Sequence, residues 1–353
     1  ASPTPTSSPS STPTSTPSAT PTPTATLAPT PSAIPTLAPT YTPTKPPAAT
    51  ATPTATPAGQ CSLILQQRVP VGPDPKGVAA WPNGFLVGIF DDASLVIFDG
   101  AVAKVTTSGW GMNDVVYQHG RAYLIHRNSG GVSVLSLARR QVIATIPVGA
   151  LPWGAAANAS RLFVANFADN TVTTIDLNAN QPIATTPTHG MPALVAAGAE
   201  AGYITHLDGY VSVIGNDGAL QGTFGPLPDG EAFGVALDEG GRRLFISDRQ
   251  TRRVWVLDSS SGEVMRFIDL SPNAPYALAF SSQTGLLFVL DAVANQLLAI
   301  RPETGEIVAT APVSAQNAQH GGQFLAISED GAFLYIPAFG AGVVDVVKVE
   351  GCR

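Results

Sequence analysis

The residues best able to do chemistry in this chain recur about every forty positions. His126, His206, Asp248 and Asp291 each close a short apolar run: AYLIH (122–126), GYITH (202–206), LFISD (244–248) and LFVLD (287–291). Asn166 closes LFVAN (162–166), and Phe90 and Ala338 close LVGIF (86–90) and LYIPA (334–338), so the seven form one series. Imidazole beside carboxylate is ligand chemistry for a transition metal, and carboxylate oxygens suit calcium. Asn and Asp at such a place also accept hydrogen bonds from the turn that follows. The two histidines lie two repeats apart, a poor fit to a tight tetrahedral site. No metal and no cofactor is therefore expected, with His126, His206, Asp248 and Asp291 as the candidates if one is held.

A second series follows the proline, or its equivalent, that enters each repeat: Lys76, Met112, Trp153, Ala193, Phe233, Tyr276 and Gln323. Three aromatic rings and a methionine around one opening would stack on a sugar or another flat ligand. Packed on one another, the same side chains would plug it. His189 and His320, each followed by glycine, read as loop residues. Most arginines (Arg139, Arg140, Arg242, Arg243, Arg252, Arg253) fall in turns, with Arg127 and Arg249 as the exceptions. The chain has no G-x-S-x-G, P-loop, H-E-x-x-H or C-x-x-C, and no G-x-G-x-x-G opening a helix. The sequon Asn158-Ala-Ser160 falls on an expected hairpin turn and makes Asn158 a candidate for N-glycosylation.

Residues spaced so regularly need regular elements to position them. Over 152–188 the sequence reads PWGAAA, LFVAN, NTVTTIDL and QPIATTPT, four apolar-alternating runs separated by turn residues. These are four short antiparallel strands. The second run returns seven times, at spacings of 36, 40, 40, 42, 43 and 47 residues. Seven four-stranded units predict an all-β, seven-bladed β-propeller over residues 60–353. The last unit supplies only FLAIS, LYIPA and VVDVVKV, whereas LQQRVPVG (65–72) matches the outer run VIATIPVG (142–149). The N-terminal strand is thus expected to complete the final blade. Cys61 and Cys352, the only two cysteines, then flank the one hairpin that lacks a covalent turn. A disulfide there would stabilise the ring by roughly 5 kcal/mol in the chain-entropy model, and it implies an oxidising compartment.

Residues 1–59 are different. They hold 16 of the 32 prolines, 18 threonines and a single charged side chain, Lys45. With almost nothing to bury and φ fixed at many positions, they are expected to be an extended polyproline stalk. Thr and Ser beside Pro is also the composition of O-glycosylated stalks. Thr4, Thr6, Thr12, Thr14, Thr16, Thr22, Thr24, Thr42, Thr44 and Thr54 are the candidate sites, so covalent glycans are expected on 1–59. The chain begins at Ala1 without a charged-then-apolar leader, and an export signal is expected to have been removed. No apolar run reaches the roughly 18 residues of a membrane span. Net charge is −7 with no basic patch, which argues against nucleic acid.

LFVAN followed by DNTVT and IDL, after a proline-glycine entry, resembles the YVTN β-propeller repeat. Phe163, Val164, Ala165 and Asn166 stand in the signature place. The resemblance covers 61–353, is sharpest in the third repeat and is degenerate in the first, fourth and seventh. It implies kinship with surface-layer proteins and lactonase-like propellers, and it bears on blade construction more than on activity. Lactonase-like relatives would need acid, histidine and arginine together in the funnel, where this chain has mostly small or aromatic residues. The expectation is a non-catalytic extracellular or cell-surface protein: a propeller on a glycosylated stalk that binds surface glycans or proteins, or self-associates into a filament or layer. The alternative is a lactonase- or lyase-like enzyme with its site in the funnel.

Overall fold

A computed structural model describes residues 61–107, 109–228, 230–316 and 323–352. The stalk expected over 1–59, with its candidate threonines, and His320 lie outside the described residues. The rest forms seven sheets, each of four antiparallel strands, arranged as a propeller. Blades 1 to 6 occupy residues 75–106, 112–147, 152–187, 192–224, 235–269 and 275–312. Blade 7 takes three strands from 326–350 and its outer strand from Ser62–Pro70. Leu65 faces Val347 there as Val142 faces Leu135 in blade 2, the match expected from the sequence. Cys61 and Cys352 are bonded, with Cα atoms 4.3 Å apart, and link the first and last strands.

The second and third strands of each blade are covered on both faces by neighbouring blades, which is why they read as unbroken apolar runs. Leu86, Leu95 and Ile97 of blade 1 interleave with Met112, Val115 and Leu124 of blade 2. Tyr123, Ile125 and Val134 of blade 2 meet Leu162, Val164 and Ile175 of blade 3 in the same way. The outer strands are half-solvated and alternate instead. Each from blade 2 to blade 6 carries one extra residue at the same level: Ile143, Ile183, Gln221, Met265 and Val308. Such bulges bend an exposed edge away from further pairing. Among the described residues no helix is long and apolar enough to cross a membrane.

Two expected positions shift by one residue. Ile89, not Phe90, pairs with Pro75 and stands level with Asn166, which pairs with Pro152. Met112 pairs with His126 and therefore takes the place of the entry proline itself, fully buried between blades 1 and 2. Asn113 occupies the place assigned to Met112 from the sequence.

Candidate functional site

The entry strands bring Lys76, Asn113, Trp153, Ala193 and Tyr276 to one level around the channel mouth, and Phe233 and Gln323 lie just ahead of the inner strands of blades 5 and 7. The ring is locked by hydrogen bonds that run from one blade to the next. Asn113 Nδ2 donates to the Trp153 carbonyl at 2.6 Å, Thr205 Oγ1 to that of Phe233 at 2.6 Å, and Ser247 Oγ to that of Tyr276 at 2.7 Å. The inner strands come this close because blades 1, 3 and 5 place glycine at the next position, Gly77, Gly154 and Gly234. A Cβ on Gly154 would lie 2.7 Å from the Ala193 carbonyl oxygen.

The aromatic side chains are largely engaged with their neighbours. Phe233 and Tyr276 meet edge to face at 5.9 Å and are both buried. The Arg249 guanidinium lies 3.8 Å above the Phe233 ring and is ion-paired to Glu231. Trp153 packs on Phe167 at 4.8 Å, and Arg127 stacks on it at 4.4 Å. Arg127 and Arg249, set apart in the sequence, open the turns after their second strands and lay their side chains over the two aromatic clusters.

The His/Asp series has a structural account. Side chains ending the second strand bond to the third strand of the same blade: His126 Nε2 to Ser133 Oγ at 2.9 Å, Asn166 Nδ2 to Thr173 Oγ1 at 2.9 Å, and His206 Nε2 to Ser212 Oγ at 2.8 Å. Burial holds both imidazoles neutral, with values pushed down to about 4. Asp248 Oδ1 accepts from the Gln250 and Thr251 amides, and Asp291 Oδ1 from those of Val293 and Ala294. Both carboxylates therefore close the turn that follows them. Among the described residues no three His, Cys, Asp or Glu side chains converge as metal ligands. Asn158 Nδ2 donates to the Gly198 carbonyl at 2.9 Å and to Asn216 Oδ1 at 2.8 Å, and it ties blade 3 to blade 4. A glycan on that nitrogen would have to displace these bonds. His189 stacks on Tyr210 at 3.9 Å, in the entry loop where the sequence puts it.

The sequence did not single out Asp114. It lines a channel cavity of about 150 Å³ together with Gln323, Val78, Leu194 and Val235. Complete burial pushes its carboxyl up to about 8, against the opposing pull of the Ala155 and Val115 amides and of Lys76. Burial, then repulsion from Arg127, brings the Lys76 ammonium down to about 8, with Asp114 acting in the opposite sense. Lys76 Nζ lies 4.8 Å from the Phe90 ring centre. Buried Asn113 Oδ1, Trp153 Nε1 and Gln323 Oε1 make no hydrogen bond among the described residues. The mouth therefore joins a packed aromatic rim, over which the Lys76 amine lies, to a small throat lined by the buried acid Asp114. Spacing picked out Lys76 but not Asp114, and it could not show that the two approach each other, since they belong to different blades.

No protein-family model and no curated protein sequence matches the chain. Among solved structures it is similar to a chain of the hydrazine synthase of Kuenenia stuttgartiensis, with a TM-score of 0.69 and 16% identity over 78% of this chain and 96% of that one. At that identity the likeness shows the seven-bladed propeller fold and nothing of the activity.

Proposed function

We propose that the protein is a non-catalytic extracellular or cell-surface module, a propeller of the YVTN type carried on an O-glycosylated stalk and built to assemble or to display. The observation that carries this reading is the Cys61–Cys352 bond, which ties the two ends of the ring together and suits an oxidising compartment. The composition of 1–59 supports a glycosylated stalk. The packing of Phe233, Tyr276 and Trp153 on neighbouring side chains supports a rim that is structural. The test is negative-stain electron microscopy of the protein as secreted, with mass spectrometry of residues 1–59. Regular fibres or sheets, or dispersed rings on thin glycosylated tails, are the expected images. An unmodified stalk on a protein retained inside the cell would overturn the reading.

Asp114 and Lys76 favour a second reading, a lactonase- or lyase-like site in the throat. Burial moves a carboxyl and an ammonium towards each other, both to about 8, the range that suits proton transfer near neutral pH. Turnover of a panel of lactones, abolished by Lys76→Met, would establish it. An inert panel removes it.

A further inference from the structure

A larger cavity, of about 970 Å³, lies on the face opposite the mouth, where blade 7 meets blade 1. It opens beside the two-residue inner strand of blade 7, Ala326–Ile327, which is shorter than its counterparts in the other blades. Trp81, Phe98, Tyr117 and Phe333 are half-buried along it, and Tyr335 lies behind them. Trp81 Nε1 donates to the Phe98 carbonyl at 3.2 Å, which fixes the indole. Gln66, Gln67, Asn83 and Gln283 line the exposed rim. Gln66 is the bulge residue of the outer strand, at the place where four other blades carry an apolar side chain. Two carboxylates, Glu329 and Asp330, belong to the lining, and among the described residues no Lys, Arg or His does.

The two carboxylates disfavour an anionic ligand. Aromatic faces take proline rings, amide N–H groups donate to the free carbonyls of a polyproline helix, and carboxylates select a basic residue within it. The chain itself supplies such a segment. Tyr41-Thr42-Pro43-Thr44-Lys45-Pro46-Pro47 has P-x-x-P spacing from Pro43 to Pro46 and contains the one charged residue of 1–59.

We propose that the groove receives the Pro43–Pro47 segment of a second copy of the chain. Thirteen residues lie between Pro47 and Cys61, and fourteen steps of about 3.1 Å would reach roughly 43 Å as a polyproline helix. A tether of that length can carry the segment to a neighbouring propeller. A contact between two different surfaces of identical chains propagates head to tail, into a closed ring or an open array. The inference rests on the assembly branch of the proposed function and supplies its joint.

The test is sedimentation of the full chain with and without a synthetic peptide of residues 41–50. Association that rises with concentration, and that the peptide reverses, is the expected result. The same peptide with Pro43 and Pro46 replaced by alanine should have no effect. Glu329→Lys, at an exposed site, and Lys45→Glu should each weaken association at least threefold, and the double exchange should restore it. Tyr117→Ala should weaken it further than either charge reversal. A peptide without effect at millimolar concentration, or a double variant no better than the single ones, overturns the proposal. Fibres that persist unchanged in Lys45→Glu overturn this contact while leaving the filament reading intact. A chain that stays monomeric at every concentration overturns both.

Discussion

At the scale of single residues, Asp114 is the most consequential group in the propeller. Its folded value of about 8 lies far above the 3.8 of a free aspartate. Between those two values the native state holds a proton that the unfolded state has released, so Asp114 makes stability fall as pH rises through this interval. The slope is at most about 1.4 kcal/mol per pH unit. Two neighbouring effects set the window for observing it. His126 and His206, with folded values near 4, act in the opposite direction below about 6.5. Lys76, brought down to about 8, restores stability as pH rises from 8 towards 10.5. The Asp114 effect is therefore clearest from pH 6.5 to 8. Asp114→Asn should lower the melting temperature at acid pH, because one of the two amides bonded to the carboxyl loses its acceptor. The deficit should shrink or reverse towards pH 8, where only the parent bears the cost of the buried acid. The substitution should also flatten the decline from 6.5 to 8. Thermal melts of the two proteins that run parallel across that window would show that Asp114 is already ionised there.

At the scale of elements, the inner strands carry the tightest constraint. A Cβ on Gly154 would meet the Ala193 carbonyl oxygen at 2.7 Å and the Leu194 Cα at 3.1 Å, both backbone atoms that cannot swing aside. Gly154→Ala must push blade 4 away from blade 3, and its expected cost is about 1–3 kcal/mol. Gly190→Ala, in the loop that enters blade 4, meets only Asp208 Oδ2 at 3.6 Å and should cost little. Denaturant unfolding of the pair checks this, and equal midpoints would mean that the blades have room to separate. These elements were legible where polar residues punctuated them. Asn166, His206 and Asp291 mark the ends of their strands and fixed the frame of blades 3, 4 and 6. Blade 1 offered no such mark, because FLVGIF is apolar throughout, and a one-residue slip there put Phe90 in the place of Ile89. In blade 2 the entry proline is replaced by Met112, which hid the shift to Asn113. Contacts between blades leave no periodic signal, so Asp114, its approach to Lys76 and the groove at Trp81 could be read only from the fold.

At the scale of the whole molecule, ring closure governs stability. Every blade but the seventh is a continuous stretch of chain, whereas blade 7 depends on Ser62–Pro70 finding Val343–Glu350 after 291 residues of separation between the cysteines. The ladder running from Ser62 opposite Glu350 to Pro70 opposite Val343 would still pair without the covalent link, but it would have to close the whole ring at the entropic cost of a very long loop. The bond between Cys61 and Cys352 removes most of that entropy from the unfolded state, worth roughly 5–6 kcal/mol in the chain-entropy model as an upper estimate. Replacing both cysteines with serine should therefore lower the melting temperature by several degrees while leaving the folded spectrum unchanged. The first amides to lose protection from hydrogen exchange should be those of Ser62–Pro70 and its partner strand, since blade 7 then becomes the weakest cooperative unit. Uniform loss of protection across all seven blades would mean that the ring opens only as it unfolds globally. Unchanged melting would mean that the strand ladder and the packing of Leu63 against Leu334 and Val347 close the ring unaided.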